Sequence, residues 1–331
     1  MQIFLNILYL VGGIIFLIKG ADLFVSGASA VAKKFKVPSL IIGLTVVAIG
    51  TSLPELAVSV SSAISGSVEL SVGNVIGSNL SNMLLIIGII ALFSPIIVKK
   101  SSKQFDFPFL IIVTGLLLVS CVDTILNGAK VNIITRTECI IFVFLFFYYI
   151  IRNVKNAKNN KLDFEEQPNN QEKDENAKEL KIWQIILFIV IGLAGVVGGG
   201  ELVSNSAKFL AIKAGMSEAL VGLTIVAVGT SLPELATSVV AARKGETDLA
   251  IGNVIGSNIL NIVLILGVVG LIKQIEVSTL ILTDLLILFG ATLIFTFLSL
   301  RKQKLSKLEG VILLLIYIGY ISFAIVRNYC F

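Results

Sequence analysis

The chain has 331 residues, 56% hydrophobic and only 14% charged, with a mean hydropathy of +0.97 and a net charge of +5. A soluble domain carries about a quarter charged residues, so this much apolar surface needs lipid as its solvent. There is no histidine, which removes imidazole bases, imidazole metal ligands and most zinc chemistry. The three cysteines, Cys121, Cys139 and Cys330, lie far apart without CxxC spacing and read as packing residues.

Apolar runs such as Ile182–Ala194 and Val311–Val326 are continuous rather than alternating, so the spans are helices and not barrel strands. In chain order, ten spans are expected at 3–32, 38–64, 69–94, 107–124, 134–151, 182–212, 218–242, 248–272, 279–299 and 308–326. The first opens on apolar Met1–Ile18, and Ala28-Ser29-Ala30 has the look of a cleavage site. No Lys or Arg precedes it, and the second half has a counterpart, so it reads as a retained helix rather than a signal peptide. The first and sixth exceed the roughly 20 residues of a perpendicular span and should tilt. The tract Arg152–Lys181, rich in Asn, Lys and Glu, reads as a solvated, disordered linker. The expected organisation is thus a five-helix half over 1–151, a linker over 152–181 and a second five-helix half over 182–331.

Basic residues set the orientation. Lys33, Lys34 and Lys36 follow the first span, and Lys99, Lys100 and Lys103 the third. The linker adds seven more, Arg243 and Lys244 follow the seventh span, and Arg301, Lys302, Lys304 and Lys307 follow the ninth. All of these fall on one side, which the positive-inside rule makes cytoplasmic, leaving both termini outside. The positive charge is a topology signal, so the bilayer is the expected partner and nucleic acid is not.

The chain repeats itself. Gly43–Ile89 and Gly222–Val268 align without a gap at a constant offset of 179 residues, and the same offset pairs Gly20 with Gly199 and Asp22 with Glu201. Five spans per half is an odd number, so the halves must be upside down relative to each other. Inverted repeats with a site at their interface are a recurrent transporter plan. Inversion favours alternating access over a passive channel.

Each repeat carries Gly-Thr-Ser-Leu-Pro-Glu inside an apolar span, Gly50–Glu55 and Gly229–Glu234. Pro54 and Pro233 should break their helices and free carbonyls, those of Ala48, Thr51, Ala227 and Thr230 being the candidates. Prolines often give mere kinks, but a Pro-Glu pair occurring twice at matched depth points to a cavity or an ion. A carboxylate at mid-membrane costs about 2.5–3.5 kcal/mol, so Glu55 and Glu234 need a partner. No Lys or Arg lies in the middle of spans two, three, seven or eight. Lys19 in the first span is the nearest, and Asp22 three residues on is its expected helical neighbour. The partner of the glutamates is therefore expected to be an ion from solution. The surrounding ligands are oxygens: Thr51, Ser52, Thr230 and Ser231, with Ser78, Asn82, Ser257 and Asn261 at i,i+4 spacing on the third and eighth helices. Two carboxylates with neutral oxygens suit hard cations such as Ca²⁺ and Na⁺, and suit Mg²⁺ less because it keeps its water. In the Gly-Asn-Val-Ile-Gly-Ser-Asn segments, Gly73 with Gly77 and Gly252 with Gly256 form a packing seam, while Asn74 and Asn253 either ligate or cross-brace.

The paired GTSLPE and GNVIGSN motifs on either side of an acidic linker resemble the alpha-repeats of the sodium/calcium exchanger family, within the wider cation/calcium exchanger group. The resemblance covers both repeats and the ten-span layout. It implies an all-α polytopic membrane protein of the prokaryotic ten-helix type, in the plasma membrane, with helices two, three, seven and eight around one Ca²⁺ and several Na⁺ sites. It also implies that helices one and six slide. By position, Glu55 and Glu234 would be shared Ca²⁺ and Na⁺ ligands. Thr51, Thr230, Ala48 and Ala227 would give carbonyls, and Ser52, Ser78, Ser231 and Ser257 would give oxygens to Na⁺. Asn82 and Asn261 would fill the remaining positions. Many relatives, potassium-dependent exchangers among them, carry aspartate where this chain has Asn261, which speaks against K⁺ co-transport. The linker is too short for the calcium-sensing domains of animal relatives.

The expected activity is electrogenic Na⁺/Ca²⁺ antiport that extrudes Ca²⁺ without a cofactor; a 3:1 ratio, taken from the family, would move one net charge per cycle. Antiport of H⁺ with Ca²⁺, or K⁺-dependent exchange, is the alternative within transport. A cation channel and an intramembrane protease built on the two acids are more distant readings, because neither needs the inverted repeat.

Overall fold

The computed structural model describes residues 2–126, 128, 131–159, 180–216 and 227–330. Helices dominate it. The first, α1 (Gln2–Phe35), has 34 residues. At 1.5 Å per residue it is about 50 Å long, well beyond the roughly 30 Å of hydrocarbon in a bilayer. The second span is broken as Pro54 requires: α2 (Ser39–Thr51) meets α3 (Leu53–Ile64) at a bend of 44°. Then come α4 (Val68–Phe93), α5 (Ser102–Val119), the short α6 (Asp123–Leu126) and α7 (Arg136–Asn159). The second half opens with α8 (Ile182–Lys213), 32 residues long. It continues with α9 (Ala227–Gly229), α10 (Leu232–Arg243), α11 (Thr247–Ile272), α12 (Thr279–Arg301) and α13 (Lys307–Cys330). The opening of the expected seventh span, residues 218–226, lies outside the described residues, as does most of the expected linker.

The two longest helices, α1 and α8, pack along each other through glycine. A Cβ added to Gly20 would lie 2.6 Å from the Gly195 carbonyl carbon, and one on Gly199 would lie 2.5 Å from the Leu17 amide nitrogen. The backbones therefore touch directly, as small residues allow between membrane helices. The rest of α1 presents Ile3, Phe4, Ile7, Leu8 and Phe16 to the outside of the bundle.

The core is made by α4 and α11, which are mostly buried. Each packs against the broken span of the opposite half: α11 against α2, and α4 against α9. Gly252 faces the Leu40 carbonyl, and a Cβ on Gly256 would lie 2.7 Å from that of Ala48. The expected glycine seam thus exists at Gly252 and Gly256. No described atom lies within 4 Å of a Cβ built on Gly73 or Gly77.

The halves also interlock at their rims. Helix α13 packs on α4 and α7 on α11, while α12 lies on α5. Two short antiparallel ribbons follow the same exchange: β1 (Ile96–Ile97) pairs with β4 (Lys304–Leu305), and β2 (Asn132–Ile134) with β3 (Ile275–Val277). Each joins a strand after the third or eighth span to one before the tenth or fifth.

Two sequence expectations change. The fifth helix does not end at 151 but runs to Asn159, into the expected linker. Arg152 stacks on the Phe105 ring and Asn153 is buried, so tertiary packing carries the helix past 151, and the Asn153 side chain donates within the helix to the Tyr149 carbonyl. Asp22 does not pair with Lys19. It pairs with Lys244 at 2.8 Å, and the Lys244 Nζ also donates to Ser26 Oγ at 2.7 Å. Among the described residues, four π-helical segments also interrupt the helices: Gly43–Val47, Ser81–Ile86, Ser102–Asp106 and Asn261–Leu266. Two of them open at or one residue before Asn82 and Asn261. π segments are concentrated at functional sites.

Candidate functional site

Each broken span turns at a serine. Ser52 (φ −83°, ψ 6°) and Ser231 (φ −85°, ψ 4°) have nearly the same backbone, so the two motifs fold alike. Proline at the start of the following helix removes an N–H that would have no intrahelical partner anyway. Glu55 and Glu234 then fall in the first turn of α3 and α10. That turn carries the positive end of the helix dipole, which favours a carboxylate there. The two breaks differ in one respect. The Ser52 amide bonds the Ala48 carbonyl at 3.1 Å, whereas the Ser231 amide bonds that of Val228 at 3.1 Å. The Ala48 carbonyl is therefore not freed by the break as expected, because the last turn of α2 still closes on it.

Both glutamates are fully buried. Ser52 Oγ donates to Glu234 Oε1 at 3.1 Å, across the two repeats, and Ser78 Oγ donates to Glu55 Oε1 at 3.5 Å. The second oxygen of each, Oε2, has no hydrogen-bond partner among the described residues. The ion pairs found there lie elsewhere, at Lys99–Asp248, Lys244–Asp22 and Arg327–Asp284. A buried carboxylate with an idle oxygen is costly unless something outside the protein meets it. Among the described residues no third His, Cys, Asp or Glu joins them, so the site holds two acids.

Hydroxyls and amides complete the surroundings. Ser231 Oγ, Ser257 Oγ, both ends of Asn82 and the Asn261 Oδ1 are buried and without partner among the described residues. The π segment with Asn82 packs against α10, which carries Glu234, and the one with Asn261 packs against α3, which carries Glu55. Thr51 and Thr230 take a different part. Thr51 Oγ1 donates to Asn253 Oδ1 at 3.0 Å, and Asn253 Nδ2 donates to Ser238 Oγ at 2.9 Å. Thr230 Oγ1 donates to Asn74 Oδ1 at 3.2 Å, and Asn74 Nδ2 donates to Ser59 Oγ at 3.2 Å. The two chains are repeat images, so Asn74 and Asn253 are cross-braces. They tie each GTSLPE threonine to the opposite half. Ala227 opens α9.

Sequence reasoning passed over Asn79 and Asn258, which the structure buries completely at the crossing of α4 and α11. Asn79 Nδ2 donates to the Asn258 carbonyl at 3.1 Å, and Asn261 Nδ2 donates to Asn79 Oδ1 at 3.0 Å. Their signal was present in the duplicated Gly-Ser-Asn-x-x-Asn, whose first asparagine repeats as faithfully as the second.

The profile of the sodium/calcium exchanger protein family matches residues 5–155 and 184–326, nearly the whole chain. The chain belongs to this family. Sodium/calcium exchanger MaX1 of Methanosarcina acetivorans is 33% identical, over 97% of this chain and 98% of its own length. Inner membrane protein YrbG of Escherichia coli is 34% identical, over 89% of this chain and 88% of its own. A solved structure of the sodium-calcium exchanger NCX_Mj superimposes with a TM-score of 0.81 at 31% identity, covering 97% of this chain and 99% of that one. The exchanger fold is thus an all-α membrane fold of ten spans in two inverted five-helix repeats. In it the two GTSLPE turns face each other from opposite repeats, as the Ser52–Glu234 bond requires.

Proposed function

We propose that this chain is a secondary active antiporter that exchanges Na⁺ for Ca²⁺ by alternating access, with Ca²⁺ extrusion as its working direction. One observation carries the reading. Two buried glutamates from opposite repeats each keep an oxygen without a partner, inside a shell of hydroxyl and amide oxygens. Such a shell suits a hard cation that supplies the missing charge. Two carboxylates neutralise one Ca²⁺, and several Na⁺ can take its place on the same oxygens. The relatives support it: MaX1 is named a sodium/calcium exchanger, and NCX_Mj has been solved after soaking with Na⁺, Ca²⁺ and Sr²⁺.

In this proposal Glu55 and Glu234 ligate the ions. Ser52, Ser78, Ser231 and Ser257 add hydroxyl oxygens, Asn82 and Asn261 add amide oxygens, the main chain of Thr51, Thr230 and Ala227 adds carbonyls, and the Ala48 carbonyl, already bonded by the Ser52 amide, adds its second lone pair. Residues 1–159 and 182–331 form the two halves, and the stretch between them joins them in the cytoplasm of a prokaryotic cell, with both termini outside. The glycine seam holds α1 and α8 backbone to backbone, so that those long helices can slide together past the core. The protein then moves ions without catalysing a reaction.

The test is Na⁺-gradient-dependent ⁴⁵Ca²⁺ flux in proteoliposomes. Wild-type protein is expected to exchange, and Glu55→Gln and Glu234→Gln to lose flux at least a hundredfold. Normal flux in either variant overturns the site. Flux driven by a pH gradient with no Na⁺ present overturns the choice of Na⁺.

A further inference from the structure

We propose that Asn79 is a positioning residue that fixes the amide of Asn261 with its oxygen toward the transported cation. The proposal rests on the exchange reading above and deepens it.

An asparagine side chain ends in one acceptor and one two-proton donor of nearly the same size. Toward a cation these ends are opposites: the oxygen attracts it and the NH₂ repels it. A buried Asn can serve as a ligand only if something decides which end faces the ion.

At Asn261 that decision is traceable to a main-chain atom. The Asn258 carbonyl can only accept, so the end of Asn79 that meets it at 3.1 Å is its NH₂. The other end of Asn79 is then its oxygen, which can only accept in turn. Asn261 approaches that oxygen at 3.0 Å and must present its own NH₂. What remains of Asn261 is Oδ1, which is buried and without a partner among the described residues. Asn261 opens a π segment that packs against α3, the helix with Glu55 in its first turn. The chain from carbonyl to amide to amide therefore leaves one free oxygen on a segment packed against the Glu55 helix.

The repeat image of this chain is not made. By the same offset, Asn258 should hold Asn82, yet neither end of either side chain has a partner among the described residues. Asn261 is a fixed oxygen, and Asn82 is an amide free to turn. A carboxylate at 261 would need no such device, because both of its ends are oxygens. That difference supplies the test.

The experiment is ⁴⁵Ca²⁺ binding to the purified full-length protein in detergent, with Na⁺ competition and thermal unfolding recorded on each sample. Asn79→Ala and the cavity-filling Asn79→Leu are made in the wild-type and in the Asn261→Asp background. Outer-shell partners of ligands are typically worth about 10–100-fold in metal affinity. Loss of Asn79 is expected to weaken Ca²⁺ binding about tenfold or more in the wild type, and by no more than about twofold in Asn261→Asp. An equal loss in both backgrounds would mean that Asn79 only holds α4 to α11, and overturns the proposal. Unchanged affinity in a folded Asn79 variant also overturns it. Wild-type protein that binds neither ion brings down the exchange reading and the proposal with it, and that result is seen before any variant is compared.

Discussion

Ser52 and Ser231 occupy the same place in the two motifs and have the same backbone, but only Ser52 is engaged. Its hydroxyl donates to Glu234 at 3.1 Å, while the hydroxyl of Ser231 is idle among the described residues. A hydrogen bond to a charged group contributes about 1.5–3 kcal/mol, against nearly nothing for a hydroxyl with no partner. Without Na⁺ or Ca²⁺, Ser52→Ala is expected to lower stability by about 1–2 kcal/mol and Ser231→Ala by less than about 0.5 kcal/mol, read from thermal unfolding in detergent. Equal losses would mean the two turns are interchangeable. The acids themselves were legible in the sequence, since a carboxylate in an apolar run announces its own cost. The use of each oxygen was not, because Ser52 and Glu234 are 182 residues apart. The same distance in sequence hid the salt bridge of Asp22. Its partner Lys244 comes from the end of α10, whereas Lys19 was merely close along the chain.

At the scale of elements, the breaks at Pro54 and Pro233 were readable because proline acts on its own helix, and the turn appears two residues ahead of it, at Ser52 and Ser231. Helix contacts were readable only where glycine marks them. In α8, Gly198 and Gly199 are neighbours with opposite surroundings. A Cβ on Gly199 meets the backbone of α1 at 2.5 Å, and no described atom lies within 4 Å of one on Gly198. Gly199→Ala is expected to destabilise the folded protein by about 1–3 kcal/mol through overpacking. Gly198→Ala should leave stability unchanged or raise it by up to about 1 kcal/mol, as helix propensity dictates. Thermal unfolding of the two variants checks this, and a common sign would contradict the seam. The π segments had no signature in the sequence. The ribbons at the rims escaped notice too, because two or three residues of strand have no usable period.

For the whole molecule, exchange of three Na⁺ for one Ca²⁺ would carry one net charge, worth about 2.3 kcal/mol per 100 mV. A clamp of 100 mV across proteoliposomes is then expected to shift the equilibrium Ca²⁺ gradient about 50-fold, since 1.4 kcal/mol is a factor of ten. Replacing K⁺ by choline should leave the flux unchanged, because the site has an amide at Asn261 and two acids among the described residues. A gradient indifferent to voltage, or a flux that needs K⁺, would contradict this in measurable ways. The sequence by itself determined that the chain is a membrane protein, that it is duplicated, and that each copy places one glutamate behind a proline break. These follow from composition, from an alignment of the chain with itself and from the local chemistry of single residues. The tertiary structure decided which oxygens are spent inside the protein and which are left over. The two threonines turn to cross-braces, Ser52 reaches across to Glu234, and Asn79 takes one end of Asn261. A hydrogen bond between the halves depends on how two inverted repeats meet, and neither repeat contains that geometry in its own sequence.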